Sequence, residues 1–344
     1  MNRNRFNLRN VVAIAICLAG VTMFSGCEKD DDPNENEVKV PSTWTKAAHS
    51  PLGNNVVFRQ FICGGGTFVV TASTSATDDG SNVIMYSTDG VTWSTVSNDP
   101  LEGTRINGIA YGNGRFVAGT HSPAKVAYSL NGKDWILASD YIAINQSAIN
   151  NIAYGVNGFI ICDYDALFYS TDGNTWTRGE TTILGEATWN FRIFYSGNKY
   201  FARTGSGVLA YSTDGRNWSG ITNGMCGDGR AVSKIVYGNG RYVATGSISV
   251  GDTRTGKLAY STDGIKWTDV PNPFSSNPSF FSIAYGAGIF IIGDENGNTA
   301  YSTDGIKWTS IANDFTERIT NIEYGNGRFI FVYNNELFYS DKIE

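Results

Sequence analysis

Short apolar runs, separated by turns rich in glycine and asparagine, recur through most of this 344-residue chain. The segment INGIAYGNGRFVAG, from Ile106, is typical: two apolar runs flank residues that tolerate positive φ, a pattern that predicts a tight β-hairpin. A second motif follows each hairpin, and its sequence YSTDGIKWT occurs identically from Tyr260 and from Tyr301. This motif predicts a third strand, a turn and a fourth strand. Each repeat therefore predicts four short antiparallel strands.

The tyrosine that opens the second motif recurs at intervals of about 40 residues, at positions 86, 128, 169, 211, 260, 301 and 339. Four-stranded units of this length are typical of β-propeller blades. The last unit ends at ELFYSD without its fourth strand, and STWTKA, before the first unit, places Trp44 at the missing position. The sequence thus predicts an all-β, seven-bladed β-propeller of four-stranded antiparallel blades over residues 42–344. The N-terminal strand is expected to join the last blade and close the ring.

The repeated turn has a structural explanation. Its aspartate accepts hydrogen bonds from the backbone two residues on, and its glycine adopts a left-handed conformation. The tryptophan that follows is expected to anchor the outer strand. The turn residues are Asp89, Asn131, Asp172, Asp214, Asp263 and Asp304.

The motif resembles the Asp-box (BNR) repeat of sialidase-like propellers, although aspartate and glycine are adjacent here, whereas one residue separates them in that family. The resemblance implies a structural turn remote from any active site. One carboxylate per turn is a poor calcium cage, and we predict no metal site and no cofactor.

Residues 1–26 predict a signal peptide, because three arginines precede an apolar run, Val11–Phe24, that is too short to span a bilayer. The run ends at FSGC, which resembles the lipobox of bacterial lipoproteins. That resemblance implies cleavage before Cys27 and attachment of a diacylglycerol to its sulfur, so that the chain meets the membrane through this lipid. The alternative is an ordinary signal peptide with an incidental Cys27.

Residues 27–41 are acidic, contain no aromatic residue and predict a flexible tether without a core. An acidic run behind a lipidated cysteine resembles the export signal of some surface lipoproteins of Gram-negative bacteria. It implies an outer-membrane lipoprotein exposed at the cell surface. The alternative is a spacer that faces the periplasm.

Charge and cysteine content exclude several classes of function. Loss of residues 1–26 removes three arginines and changes the net charge from −6 to −9, which argues against a nucleic-acid partner. Cys63, Cys162 and Cys226 are predicted to be buried free thiols, because their spacing suits neither a disulfide framework nor a metal. The chain is expected to be a monomer.

The order of the strands places the short GNG and STDG turns on one face of the ring, which we call the repetitive-turn face. The longer connections share the opposite, variable face, and binding is expected there. They are residues 72–82, 139–148, 179–188, 246–257 and 271–279. Trp189 lies outside the repeat position at this face, where it is predicted either to stack on a ligand or to pack under its own loop.

One position of the predicted innermost strands is polar in almost every repeat and defines a polar column: Gln60, Gly108, Asn151, Arg192, Lys234, Ser282 and Asn321, with Glu323 two residues further on. The column is expected to edge the central channel. Arg192 and Lys234 form either an anion site or part of a solvated lining.

Three hypotheses for function follow. The first is a non-catalytic, envelope-tethered propeller that binds a glycan or a protein. The second is a glycoside hydrolase or lyase of sialidase-like ancestry, because FRIF at 191–194 resembles part of a sialidase motif. Its candidate carboxylates, Asp163, Asp165, Glu186, Asp294 and Glu295, have no spacing that pairs them. The third is a structural scaffold, which predicts a flat apolar patch.

Overall fold

The computed structural model describes residues 38–47, 56–73, 82–139, 148–163, 166–179, 192–204, 208–223, 232–250 and 253–343. These residues belong to one compact unit, Val38–Glu344. Cys27, Trp189 and Cys226, which the sequence singled out, lie outside the described residues, as does the predicted signal peptide. Across the described ranges, the strands form seven antiparallel sheets of four strands each.

The first four blades take their strands in chain order, from the channel outward. Blade 1 contains β2 (Val57–Gly64), β3 (Thr67–Ser73), β4 (Asn82–Ser87) and β5 (Ser94–Thr95). Blade 2 contains β6 (Ile106–Gly112), β7 (Arg115–Thr120), β8 (Val126–Ser129) and β9 (Trp135–Leu137). Blade 3 contains β10 (Asn151–Gly155), β11 (Gly158–Cys162), β12 (Leu167–Ser170) and β13 (Thr177–Arg178). Blade 4 contains β14 (Arg192–Ser196), β15 (Lys199–Arg203), β16 (Leu209–Ser212) and β17 (Ser219–Ile221).

The remaining three blades repeat this arrangement. Blade 5 contains β18 (Val232–Gly238), β19 (Arg241–Val250), β20 (Thr253–Ser261) and β21 (Thr268–Val270). Blade 6 contains β22 (Phe280–Gly286), β23 (Ile289–Asp294), β24 (Thr299–Ser302) and β25 (Thr309–Ile311). Blade 7 contains β26 (Ile319–Gly325), β27 (Arg328–Tyr333), β28 (Glu336–Ser340) and, as its outer strand, β1 (Trp44–Lys46). The predicted seven-bladed propeller is confirmed.

The ring closes through the first strand of the chain. Trp44 is paired with Ser340 in the antiparallel ladder between β1 and β28. The Trp44 ring lies 4.8 Å from that of Phe331, edge to face. The Ser42 backbone N–H and hydroxyl donate to the two carboxylate oxygens of Asp341, each over 3.2 Å. Closure by the N-terminal strand, as predicted, gives β28 a partner on its outer side.

Neighbouring blades are locked together near the repetitive-turn face by tyrosine and glycine. Most innermost strands end in Tyr-Gly, and the tyrosine ring of one blade covers the final glycine of the preceding blade. A Cβ atom added to Gly286 would lie 2.0 Å from the Tyr324 ring. The same contact joins Gly64 to Tyr111, Gly112 to Tyr154 and Gly238 to Tyr285. Between blades 7 and 1, Cys63 takes the place of the tyrosine, against Gly325.

The repeated turns have the predicted hydrogen bonds. The Asp263 Oδ1 atom accepts from the backbone N–H groups of Ile265 and Lys266, each over 2.8 Å. Gly264 has a φ of +72°, in the left-handed region. The Trp267 ring is buried and its Nε1–H donates to the Gly264 carbonyl over 3.2 Å. Asn131 makes the same two backbone contacts through its amide oxygen.

One connection on the variable face differs from the expectation. Residues 246–257 were predicted as a loop, but most of them continue β19 and β20, which pair from Tyr242↔Ser261 out to Val250↔Thr253. The β-branched residues in SISV and TRT favour this extension. Blade 5 therefore carries a two-stranded arm, Gly246–Val250 with Thr253–Lys257.

Candidate functional site

The innermost strands surround a cavity of about 490 Å³ along the central channel. All seven blades contribute to its wall. At the variable-face end, which we call the mouth, its lining includes Gln60, Asn151, Arg192, Lys234, Ser282 and Asn321. Towards the repetitive-turn face it includes Tyr111, Tyr154 and Tyr195. The predicted polar column thus lines the channel, except for Gly108, which is absent from this wall and instead packs against Ile152 of the next blade.

Part of the polar column holds the blades together. The Asn151 amide oxygen accepts a hydrogen bond from the Ile193 backbone N–H of the next blade over 3.1 Å. The Ser282 hydroxyl oxygen accepts one from the Ile322 N–H over 2.6 Å. These N–H groups lie on the inner edge of each blade, where no further strand pairs with them. Two polar column members therefore satisfy backbone donors that would otherwise lack a protein partner.

An ion pair crosses the channel. The Lys234 ammonium of blade 5 donates to the Glu323 carboxylate of blade 7 over 2.9 Å, and both side chains are 28% exposed. The other innermost strands carry an apolar residue at the position of Glu323, such as Ala110, Ala153 and Ala284. The charge of Lys234 is thus matched by a carboxylate. One of the two predictions for Arg192 and Lys234 was a shared anion site. In the structure, however, Lys234 already has the Glu323 carboxylate as its counterion.

Arg192 has a different neighbour. It is directly opposite Arg203 in the β14–β15 ladder, and both residues line the cavity. The guanidinium of Arg192 donates to the Asn150 carbonyl over 3.2 Å. The Nε–H of Arg203 is buried and makes no hydrogen bond within the described parts of the chain. Two cations therefore share one side of the mouth.

Burial and like charge both act on these arginines. Burial lowers the pKa of Arg203, and the charge of Arg192 adds to this effect, bringing the pKa to about 10. Burial also lowers the pKa of Arg192, and Arg105 lowers it further. Arg203 keeps its positive charge at neutral pH, because its pKa still lies about three units above 7.

A second pair of arginines lies beside blade 6, at a different part of the propeller wall. The Phe281 ring lines the cavity and lies between two exposed arginines, with the Arg318 guanidinium 4.2 Å and the Arg254 guanidinium 5.2 Å from its centroid. Arg254 belongs to the arm of blade 5, and its Nε–H donates to the Ser247 hydroxyl over 2.8 Å. Contacts of guanidinium with an aromatic face are favourable and hold both arginines beside the mouth.

Carboxylates are scarce in this wall. Among the described residues that line the cavity, Glu323 is the one carboxylate. Asp294, a candidate acid, is buried at the end of β23, where its Oδ1 atom accepts from the Asn296 and Asn298 backbone N–H groups, each over 2.8 Å. The described ranges contain no cluster of three side chains suited to a metal ion. They also contain no helix with the length and hydropathy of a membrane span.

Neither of the two described cysteines forms a disulfide. Burial raises the pKa of Cys63 to about 12, and the nearby Glu323 carboxylate contributes to the shift. Burial also raises the pKa of Cys162, which is fully enclosed between blades 3 and 4. Both thiols are protonated at neutral pH, which makes them poor nucleophiles.

Sequence reasoning found most of the mouth but missed two of its residues. Gln60, Asn151, Arg192, Lys234 and Glu323 all line the cavity. Arg203 was missed because it lies on the second strand of its blade, and only the strand register places it opposite Arg192. Phe281 was missed because a β-bulge between Phe280 and Ser282 breaks the alternation of that strand.

No protein-family model matches the chain, and no curated protein matches it by sequence. Solved structures match its fold. YCF48 bound to D1 peptide has a TM-score of 0.64 at 14% identity, with 88% of this chain and 97% of that chain covered. Virginiamycin B lyase from Staphylococcus aureus has a TM-score of 0.65 at 12% identity, covering 87% and 97%. The GH74 enzyme of Niastella koreensis has a TM-score of 0.56 at 19% identity, covering 83% and 43%. These similarities establish a β-propeller fold.

Proposed function

We propose that this chain is a non-catalytic binding propeller of the cell envelope that takes a glycan or protein partner at the mouth of its channel. The observation that supports this proposal is the cavity itself. Every blade contributes to its wall, polar side chains dominate the mouth, and the described carboxylate within it is already neutralised by Lys234. YCF48 offers a precedent, since that propeller has been solved with a bound peptide.

A matched pair of tryptophan substitutions tests the location. Gln60→Trp narrows the mouth, whereas Thr88→Trp adds the same side chain to the exposed repetitive-turn face of the same blade. Envelope polysaccharide and protein fractions are passed over each immobilised chain in a biosensor. We expect Gln60→Trp to lower retention at least tenfold and Thr88→Trp to leave it unchanged. Equal retention by the two variants would place binding away from the mouth.

The envelope location is part of the proposal and rests on the N-terminal sequence. An apolar run followed by FSGC supports lipidation of Cys27, and the acidic residues 28–37 support display at the cell surface. Cys27→Ser should release the chain from the membrane fraction and abolish labelling by a fatty-acid probe. A variant that is still acylated and membrane-bound would refute Cys27 as the site of lipid attachment. Protease treatment of intact cells then distinguishes a surface-exposed chain from a periplasmic one.

The enzymatic alternative requires a second acid. A glycoside hydrolase uses two carboxyl groups about 5–10 Å apart. The described part of the wall supplies Glu323 alone, and its partner is a lysine. If the chain is a hydrolase, Glu323→Gln abolishes the release of reducing ends from envelope polysaccharide. If it is a binding protein, neither the native chain nor the variant releases any.

A further inference from the structure

The arginine pair at the mouth is an unusual arrangement for a folded protein. Arg192 and Arg203 are directly opposed on antiparallel strands, so their side chains emerge on the same face, with Cα atoms about 5 Å apart. Like charges in this position destabilise a sheet. Burial strengthens the repulsion, and it lowers the pKa of both groups. The fold alone gives no reason to keep two cations together here.

Within the described parts of the chain, most hydrogen-bond donors of the pair have no acceptor. Each guanidinium carries five N–H donors in a planar fork. Arg192 uses one of them on the Asn150 carbonyl. The buried Nε–H of Arg203 has no acceptor within the described ranges, and no described carboxylate forms an ion pair with either arginine. A buried donor without an acceptor costs free energy that a bound acceptor would recover.

We infer that Arg192 and Arg203 bind an oxyanion, a carboxylate, sulfate or phosphate group carried by the ligand. Forked guanidinium groups match the oxygen geometry of these anions and bind them bidentately. The site opens into a cavity of about 490 Å³, which leaves room for the portion of the ligand attached to the oxyanion. Lys234 lies on the neighbouring blade, but Glu323 neutralises it, so the arginine pair determines which charged group enters.

This inference rests on the proposed function for its location, and it specifies the chemistry of the partner. It also accounts for a contrast within the molecule. The chain without residues 1–26 carries a net charge of −9 and repels anions at long range. A ligand that binds in spite of this repulsion needs a local cationic site. The arginine pair is such a site, placed where solvent access is limited and the interaction is strong.

Inorganic anions test the site without knowledge of the partner. The chain, purified as cells produce it, is heated in sodium sulfate, phosphate or acetate and in sodium chloride of equal ionic strength. Arg203→Gln and Arg192→Gln remove one charge each from the pair. Arg216→Gln is the matched control, because it removes the same charge from the exposed turn on the opposite face of the same blade.

We expect at least one oxyanion to raise the unfolding midpoint of the native chain and of Arg216→Gln by about 2 °C more than that of the pair variants. The anion with the largest excess identifies the preferred group. Without an oxyanion, Arg203→Gln should unfold at a higher temperature than the native chain, since the repulsion is gone. Equal shifts in all four proteins would overturn the inference.

A second measurement uses the native chain alone, in case a pair variant fails to fold. Phenylglyoxal modifies arginine, and mass spectrometry identifies the modified positions. Sulfate at saturating concentration should slow modification of Arg192 and Arg203 at least fivefold and leave Arg216 unaffected. Uniform protection, or none, would refute the site. Because neither assay requires a partner, their failure leaves the mouth as a binding surface untouched, whereas failure of the biosensor test refutes the proposed function itself.

Discussion

The turn aspartates show how one side chain can fix a local structure in many copies. In the turn of blade 5, Asp263 caps two backbone N–H groups, and the Ser261 hydroxyl donates to the same Oδ1 atom over 2.9 Å. Asn131 reproduces this arrangement in blade 2 with an uncharged oxygen. The acceptor geometry, and not the charge, therefore defines the turn. The sequence predicts these turns completely because every partner lies within three residues.

Substitutions at Asp263 should separate geometry from charge. Asp263→Asn keeps the acceptor oxygen and should change the free energy of unfolding by less than about 0.5 kcal/mol at pH 7. Asp263→Ala leaves two N–H groups to water and should cost about 1 kcal/mol. Urea unfolding followed by tryptophan fluorescence measures both values. A large loss in the asparagine variant would show that the charge is needed.

Acid should destabilise the native turns. Hydrogen bonds from the backbone N–H groups of Lys266 and Ile265 lower the pKa of Asp263 below its usual value. A carboxylate with a lowered pKa stabilises the fold above the pKa of the unfolded chain, about 4, and this contribution is lost as the pH falls towards the folded value. The difference in unfolding free energy between the native chain and Asp263→Asn should therefore shift in favour of the variant between pH 5 and pH 2.5. A difference that stays constant with pH contradicts the shifted pKa.

Arg203 illustrates a contact that a local sequence pattern cannot predict. Its neighbour Arg192 is 11 positions away, across a hairpin whose register determines which side chains share a face. Glu323 and Lys234 are 89 positions apart and meet only because the ring brings blades 5 and 7 around one channel. Contacts of this kind follow from the closed ring, which a local pattern does not define.

At the scale of the elements, tyrosine–glycine contacts join most blades to the next. The space above Gly286 is filled by the Tyr324 ring, so any larger residue there forces the two inner strands apart. Gly286→Ala should lower the unfolding midpoint by more than about 5 °C or prevent folding, because overpacking in a rigid core is costly. Gly220→Ala is the control, since no atom lies within 4 Å of the added Cβ. Calorimetry of the two variants side by side measures the unfolding midpoints. Equal midpoints would show that the Tyr324 side chain can move aside.

The N-terminal strand makes a separate prediction. Deletion of residues 1–39 leaves β1 intact and should be nearly harmless. Deletion of residues 1–47 removes Trp44, its contact with Phe331 and the partner of β28. It should lower the midpoint sharply or cause aggregation through the exposed strand edge. Thermal unfolding and light scattering distinguish the two truncations, and equal behaviour would mean that β1 contributes little to closure.

At the scale of the whole molecule, the sequence predicted the blade number, the strand order and the closure. Each of these follows from the number of repeats and from the strand that the last repeat lacks. It did not predict the arm of blade 5, which was interpreted as a loop, since Gly246, Gly251 and Gly256 concealed the β-branched alternation between them. Repetition determines what the blades share. The site depends on the positions at which they differ, and a single sequence does not show which of those differences matter.

The junction of blades 7 and 1 should be the first part of the ring to open. Cys63 lies there in place of the tyrosine that fills the other junctions, and burial raises its pKa to about 12. Iodoacetamide should therefore label Cys63 slowly in the native chain and at least tenfold faster after deletion of residues 1–47. Cys162, enclosed between blades 3 and 4, is the internal reference, with each site identified by mass spectrometry. Equal acceleration at both cysteines would indicate global unfolding and not a local opening.

The direction of β1 has a consequence for how the molecule is displayed. Trp44 pairs with Ser340 at the repetitive-turn end of β28, and the strand then runs towards the variable face. The chain therefore enters the propeller from the repetitive-turn side. The segment that directly precedes β1 therefore joins the propeller at the face opposite to the mouth and its arginine pair.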